Sequence, residues 1–267
     1  MGQSGEGRFA DGRLYYRSWS SDAPARGEAI IAHGFAEHSG RYDHVARALT
    51  GAGVNVWALD HRGHGRSEGD RANIESVGKA VADLDLFVDL VGESSAGRPK
   101  FLVGHSMGGF ISAAYAEEHQ DRLAGLVLSA PLLHVDPAIA ALADADEVPD
   151  LGLADAVSSD PAVVQAYKDD PLNYLGPPPR DFLRSVGQVE EVRKRLPELT
   201  LPLLIMQGSA DLLVSPQALK DTVAAVSSQD LTAVLWPGLW HEIFNEPNQQ
   251  EVLAALSAWI VKRLPST

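Results

Sequence analysis

Short apolar runs rich in β-branched residues alternate along the chain with longer stretches of helical period. Six runs read as buried strands: 27–35 (GEAIIAHGF), 54–60 (VNVWALD), 101–104 (FLVG), 123–131 (LAGLVLSAP), 201–208 (LPLLIMQG) and 231–238 (LTAVLWPG). Amphipathic stretches lie at 41–53, 76–94, 110–119, 215–227 and 249–264. Strands alternating with helices of this length predict a mostly parallel, doubly wound α/β sheet of about eight strands. The opening stretch 9–19 (FADGRLYYRSW) alternates with period two around Asp11-Gly12, a tight-turn pair. It predicts a hairpin that adds antiparallel strands at one edge.

The alternation stops once. From His134 to Glu198 there are scattered Ala/Leu/Asp helices, the Pro-rich Gly176-Pro-Pro-Pro179 and an amphipathic helix in FLRSVGQVEEVRKRL, without a strand pattern. Insertions of this length in a compact domain are usually functional. The expected division is a core of 1–133 and 199–267 with a cap of 134–198.

Composition narrows the function classes. A chain of 267 residues with 45% hydrophobic content can bury the core of one large domain. The net charge of −14 disfavours nucleic-acid backbones and anionic lipid. The absence of cysteine removes disulfides, thiol nucleophiles and cysteine-bound metals. Neither G-x-G-x-x-G after a strand nor a Walker A motif occurs, and the histidines lack ligand spacing, so neither cofactor nor metal is expected. No apolar window approaches 18 residues, and the polar, Gly-rich opening lacks a signal pattern. These features predict a soluble, cytoplasmic protein of undetermined oligomeric state.

The chemistry enters at Gly104-His-Ser106-Met-Gly108, between a strand and a helix. G-x-S-x-G in that context is a nucleophile elbow, a strained turn that exposes the serine Oγ and tolerates only small flanking residues. A serine hydroxyl is a weak nucleophile and needs a base held by a carboxylate. The chain order on this scaffold is Ser, Asp or Glu, then His, each after a strand. Asp211 follows LPLLIMQG and His241 follows LTAVLWPG, so Ser106, Asp211 and His241 form the candidate triad. The oxyanion donors are the Met107 N–H and, from the loop after the early strand, the Phe35 N–H. His105 reads as packing the turn or shaping the acyl pocket, and His61 and His64 as hydrogen-bonding groups that hold loops. Glu242 reads as a loop stabiliser. Glu37 and Arg41 are close enough in sequence to brace the early loop as an ion pair; the alternative is an exposed pair worth under about 1 kcal/mol.

The blocks HGFAEHSGRY (33–42), DHRGHGRSEG (60–69), GHSMGG (104–109), QGSAD (207–211) and PGLWHE (237–242) resemble those of the monoacylglycerol lipases of the α/β-hydrolase superfamily. The resemblance runs from about residue 9 to residue 264. It implies an α/β-hydrolase fold and cofactor-free hydrolysis of a monoacylglycerol to glycerol and fatty acid. It also implies a glycerol-recognising cap tyrosine, carried to Tyr167, before Asp170-Pro-Leu. Tyr167, His105, Glu37 and Arg41 are thus the substrate-binding candidates. The cap departs from membrane-docking members of the family: residues 134–170 hold nine acidic residues and one basic residue, Lys168. Weak or no membrane association is expected, with dispersed or micellar ester as the partner. Leu132, Leu133, Ile139 and Leu142 are placed to line an acyl tunnel or to pack on the core. The alternatives are a general carboxylesterase or lysophospholipase and a non-catalytic ligand-binding relative. Epoxide hydrolase and dehalogenase chemistry would need Asp at position 106.

Overall fold

The computed structural model describes residues 3–265, so residues 1, 2, 266 and 267 of the expected core lie outside it. The strands are β1 (Ser4–Phe9), β2 (Leu14–Trp19), β3 (Gly27–Ala32), β4 (Val54–Leu59), β5 (Lys100–His105), β6 (Gly125–Ser129), β7 (Leu203–Gly208) and β8 (Leu231–Trp236). They form one sheet in the order β1-β2-β4-β3-β5-β6-β7-β8. β1 and β2 are antiparallel to their neighbours, and every pair from β4 to β8 is parallel. The fold is therefore the mostly parallel eight-stranded sheet that the pattern predicts. The first hairpin strand lies earlier than expected, at Ser4–Phe9. Its glycines and charges suit a largely exposed edge strand and give no apolar signal.

The helices are α1 (Asp43–Gly51), α2 (Val77–Ser94), α3 (Met107–His119), α4 (Pro137–Ala141), α5 (Pro161–Asp169), α6 (Arg180–Val186), α7 (Val189–Arg195), α8 (Gln217–Ala225) and α9 (Gln249–Val261). Side chains alternate across the sheet. Ile30, Leu102, Leu126, Leu128 and Ile205 pack with α2 and α3, while Ile31, Phe101, Val103, Val127 and Met206 pack with α1 and α9. Both faces are covered, which is why the central strands read as continuous apolar runs. α3 is not the amphipathic helix expected from 110–119: it starts at Met107 and is buried on all sides through Glu117. A helix beneath a cap and against a sheet has no solvent face to encode.

Between β6 and β7 the described residues form four short helices and three 3-10 turns, without a strand. Asp136 and Asp160 cap α4 and α5 by accepting the N–H groups of Ala138 and Ala162, each one residue ahead of a proline at N1. Part of the acidic composition therefore builds helix starts. The far end of the insertion joins the core: Phe182, Val186, Val189, Val192 and Leu196 belong to the same apolar cluster as α3.

Candidate active site

Ser106 lies between β5 and α3 with φ 51° and ψ −117°, a backbone region costly for a residue with a Cβ. Its surroundings fix this geometry. The Ser106 N–H donates to the Ser129 carbonyl at 3.0 Å, and its own carbonyl accepts from Phe110 N–H at 3.1 Å and Leu132 N–H at 3.0 Å. A Cβ on Gly108 would stand 2.0 Å from the Ala32 carbonyl oxygen, and one on Gly104 2.5 Å from that of Gly108. No side chain fits at either site, which explains both glycines of the motif.

Asp211 and His241 meet at the ends of β7 and β8. His241 Nδ1 donates to Asp211 Oδ2 at 2.9 Å, while Asp211 Oδ1 accepts from the N–H groups of Leu213 (2.8 Å) and Val214 (2.9 Å). Gly208 permits the approach: a Cβ there would lie 2.2 Å from the carbonyl oxygens of both Leu239 and Trp240. Burial alone would depress the basicity of His241. The Asp211 charge and hydrogen bond, helped by Glu242 and Glu37, outweigh burial and raise its pKa above the ordinary histidine value. Burial works equally against the Asp211 carboxylate, yet the facing imidazole and two backbone N–H groups hold its pKa low. The two shifts agree: the site favours an imidazolium–carboxylate pair.

The early loop passes beside the serine. A Cβ on Gly34 would stand 3.1 Å from the His105 ring and 3.4 Å from Ser106 Cβ. The Gly34 N–H donates to Glu37 Oε1 at 2.6 Å. Among the described residues the Phe35 N–H has no backbone acceptor. Met107 opens α3, where a first-turn N–H has no partner within the helix. Neither N–H has a backbone acceptor among the described residues.

Glu37 and Arg41 form the ion pair that braces the early loop, and the pair is buried, which excludes the exposed alternative. Arg41 Nη1 donates to Glu37 Oε2 at 2.8 Å and to Glu242 Oε1 at 2.6 Å, and Nη2 donates to Glu242 Oε2 at 2.7 Å. Tyr42 Oη donates to Glu37 Oε1 at 2.8 Å. Burial opposes charge on Glu37, but Arg41 leads the groups that keep its carboxyl well below the usual range. One guanidinium thus bridges the Phe35 loop to the loop carrying His241, and Glu242 is the stabiliser that its position suggested. Arg41 also lies 4.5 Å from the centroid of the Tyr167 ring. Glu37, His105 and Tyr167 line the cavity described below; Arg41 does not.

His105 donates from Nδ1 to the Ser129 carbonyl at 3.1 Å and stands ring to ring with His241 at 4.8 Å. Burial, then the neighbouring His241, pushes its pKa down to about 4, so it is a neutral wall of the site. The loop-holding role expected of His61 and His64 falls mostly to other groups. Both His61 ring nitrogens lack a partner among the described residues, and His64 bonds only the Arg62 carbonyl. His33 Nε2 instead accepts the His61 N–H at 2.9 Å, and the Asp60 carboxylate accepts from the N–H groups of Ser39 and Arg66. The sequence reading gave Asp60 no role. Its signal was the glycine five residues on: a Cβ on Gly65 would lie 2.1 Å from Asp60 Oδ2.

Ser106, Asp211 and His241 border a cavity of about 1160 Å³ roofed by the insertion. Leu132, Val135, Ile139, Phe182, Leu183 and Val186 give it an apolar wall. Of the four apolar candidates, Leu132 and Ile139 face the cavity, Leu133 is buried in the core, and half-buried Leu142 neither lines the cavity nor joins that core cluster. Leu175 and Leu212 sit at its border with 46% and 63% exposure, an apolar lip beside acidic Asp150 and Asp155. No described helix is long and apolar enough to cross a membrane.

The chain is similar to known proteins over most of its length. The family model described as serine aminopeptidase, S33 matches residues 23–248. The monoacylglycerol lipase of Mycolicibacterium smegmatis is 40% identical, over 94% of each chain. The human monoglyceride lipase is 33% identical over 95% of this chain and 89% of its own. The crystal structure of Paleococcus ferrophilus monoacylglycerol lipase superposes with a TM-score of 0.84 at 30% identity, covering 94% of this chain and 99% of that one. The chain belongs to the serine aminopeptidase S33 family of α/β-hydrolases and, within it, to the monoacylglycerol lipases.

Proposed function

We propose that this protein is a serine hydrolase that cleaves the ester of a monoacylglycerol through an acyl-enzyme. Ser106 Oγ attacks the carbonyl carbon while His241 Nε2 takes the hydroxyl proton. Asp211 fixes the tautomer through Nδ1–H and stabilises the imidazolium. The oxyanion is held by the N–H groups of Phe35 and Met107. His241 then returns the proton to the glycerol oxygen as the C–O bond breaks. Water, deprotonated by the same nitrogen, attacks the acyl-enzyme; the fatty acid leaves and Ser106 regains its proton.

The observation that carries this reading is the 2.9 Å His241–Asp211 pair beside a strained Ser106 at the wall of one large cavity. The names of the relatives add the substrate: the M. smegmatis and human proteins are called monoacylglycerol and monoglyceride lipases. The insertion 134–198 acts as the cap, with the apolar wall taking the acyl chain and the Glu37–Tyr167 side facing the alcohol. The acidic segment 134–170 keeps the enzyme off anionic bilayers, so substrate arrives dispersed or in micelles.

The test is glycerol release from mono-, di- and triacylglycerols of one chain length, with Ser106→Ala alongside. Strong preference for the monoacyl substrate is expected. Better turnover of simple alkyl esters with little glycerol release would make the protein a general carboxylesterase. Tight sedimentation with anionic liposomes at physiological salt would contradict the membrane part.

A further inference from the structure

The loop that supplies the Phe35 N–H carries an unusual strain and an unusual set of partners. Ala36 has φ 64°, a left-handed conformation that a non-glycine residue holds only when its surroundings impose it. Those surroundings belong to the insertion. The Ala36 carbonyl accepts the N–H of Tyr174 at 2.9 Å. The Phe35 ring stacks on Phe182 with centroids 3.9 Å apart. At the end of the loop, His38 Nδ1 accepts the Gly40 N–H at 3.1 Å, which places the ring proton on Nε2. That Nε2–H donates to Asp170 Oδ2 at 3.0 Å, across 132 residues of chain.

Asp170 serves both ends of this contact. Its Oδ2 takes the His38 proton, while its Oδ1 accepts the Leu172 N–H at 2.9 Å and its carbonyl accepts the Asn173 N–H at 3.1 Å. The second pair of bonds folds the turn that aims the Tyr174 N–H at Ala36. One carboxylate thus anchors the insertion to the oxyanion loop and shapes the segment that holds Ala36 in its strained form.

We propose that Asp170 is a positioning residue for the oxyanion hole. Through His38 and through the 170–174 turn it sets the Ala36 conformation and hence the direction of the Phe35 N–H. The cap then completes the catalytic constellation as well as roofing the cavity. This rests on the role given to the Phe35 N–H in the proposed function. Neither Asp170 nor His38 borders the cavity, so neither is placed to touch substrate.

The experiment compares wild type, Asp170→Ala, Asp170→Asn and Ser106→Ala on p-nitrophenyl butyrate, with inhibition by butylboronic acid and thermal melting measured in parallel. The boronate adds to the serine as a tetrahedral anion and reports the oxyanion hole. Asp170→Ala should lower kcat about 10- to 100-fold, less than deleting a donor outright, with KM within about 2-fold. Boronate affinity should fall by a similar factor. Asp170→Asn keeps one oxygen for the Leu172 N–H but sets an NH2 group against the His38 Nε2–H, so its kcat should fall between those of wild type and Asp170→Ala. If Asp170→Ala does not fold, His38→Ala breaks the same bond from the other side and should give the same split. Unchanged kcat in Asp170→Ala, a change confined to KM, or an Asn variant with full wild-type kcat would overturn the proposal. Inactive wild type, or active Ser106→Ala, would instead overturn the catalytic reading itself.

Discussion

At the carboxyl ends of β3, β5, β7 and β8, backbone meets backbone with no room for a side chain. Gly104, Gly108 and Gly208 are each closed in by carbonyl oxygens, and these contacts set Ser106 and the Asp211–His241 pair. The insertion above is built differently. Its first part, 134–174, hangs on helix caps at Asp136 and Asp160 and on a few polar ties, such as His38 to Asp170 and Ser159 to Glu246, while its far end packs into the core. Its Gly152 also has positive φ, 60°, but a Cβ there would meet nothing within 4 Å. The reactive groups sit where the backbone allows one arrangement. The cavity beside them is walled by side chains. Such a division lets one triad serve many esters.

The comparison is broken most severely at the core side. Ser106→Ala should lose about 10⁶ of turnover with melting behaviour close to wild type, as measured by steady-state kinetics and calorimetry. Arg41→Ala should come next. It leaves Glu37 and Glu242 buried without their shared cation, at a cost of about 3–5 kcal/mol, read from denaturant unfolding. A loss under about 1 kcal/mol would be that of an exposed ion pair and would contradict the bracing role.

Two glycine substitutions then sharpen the contrast. Gly208→Ala forces the Asp211 and His241 loops apart and should cost about 10²-fold in kcat, since misplacement by about 1 Å is enough for that. Gly152→Ala should cost only about 1–2 kcal/mol of stability, from the left-handed backbone, with kcat unchanged. Equal effects on kcat would remove the distinction between the two regions.

The smallest effect is in pH. The raised pKa of His241 puts the acid limb of kcat/KM above about pH 6.5, the ordinary histidine value. The stability supplied by its ion pair is complete below that value and is lost as pH rises through the folded-state pKa. Activity should therefore rise, and this contribution to melting temperature fall, over the same interval. Asp211→Asn removes the charge that opposes burial, so the acid limb of its residual activity should move down.

The triad was legible because each member is local to a strand end, and strand ends carry strong signals: an apolar run, then glycine, then a polar residue. Ser106, Asp211 and His241 need only chain order to be found. The candidate oxyanion donors Phe35 and Met107 also follow strand ends. The burial of Arg41 was not legible, because its decisive partner, Glu242, is 201 residues away and nothing around either residue encodes the pairing. The link between His38 and Asp170 is hidden in the same way. α3 misled in the opposite sense: a helix buried on every side leaves no apolar stripe, so its first turn, the one beside Ser106, was invisible to periodicity.

The central claim is that Ser106, activated by His241, is the nucleophile. The most direct measurement is mass spectrometry of the protein after reaction with an alkyl fluorophosphonate, followed by peptide mapping. The account predicts one adduct, located on Ser106, with labelling lost in Ser106→Ala and strongly slowed in His241→Ala. No adduct on the wild-type protein, or an adduct that persists in Ser106→Ala, would contradict it.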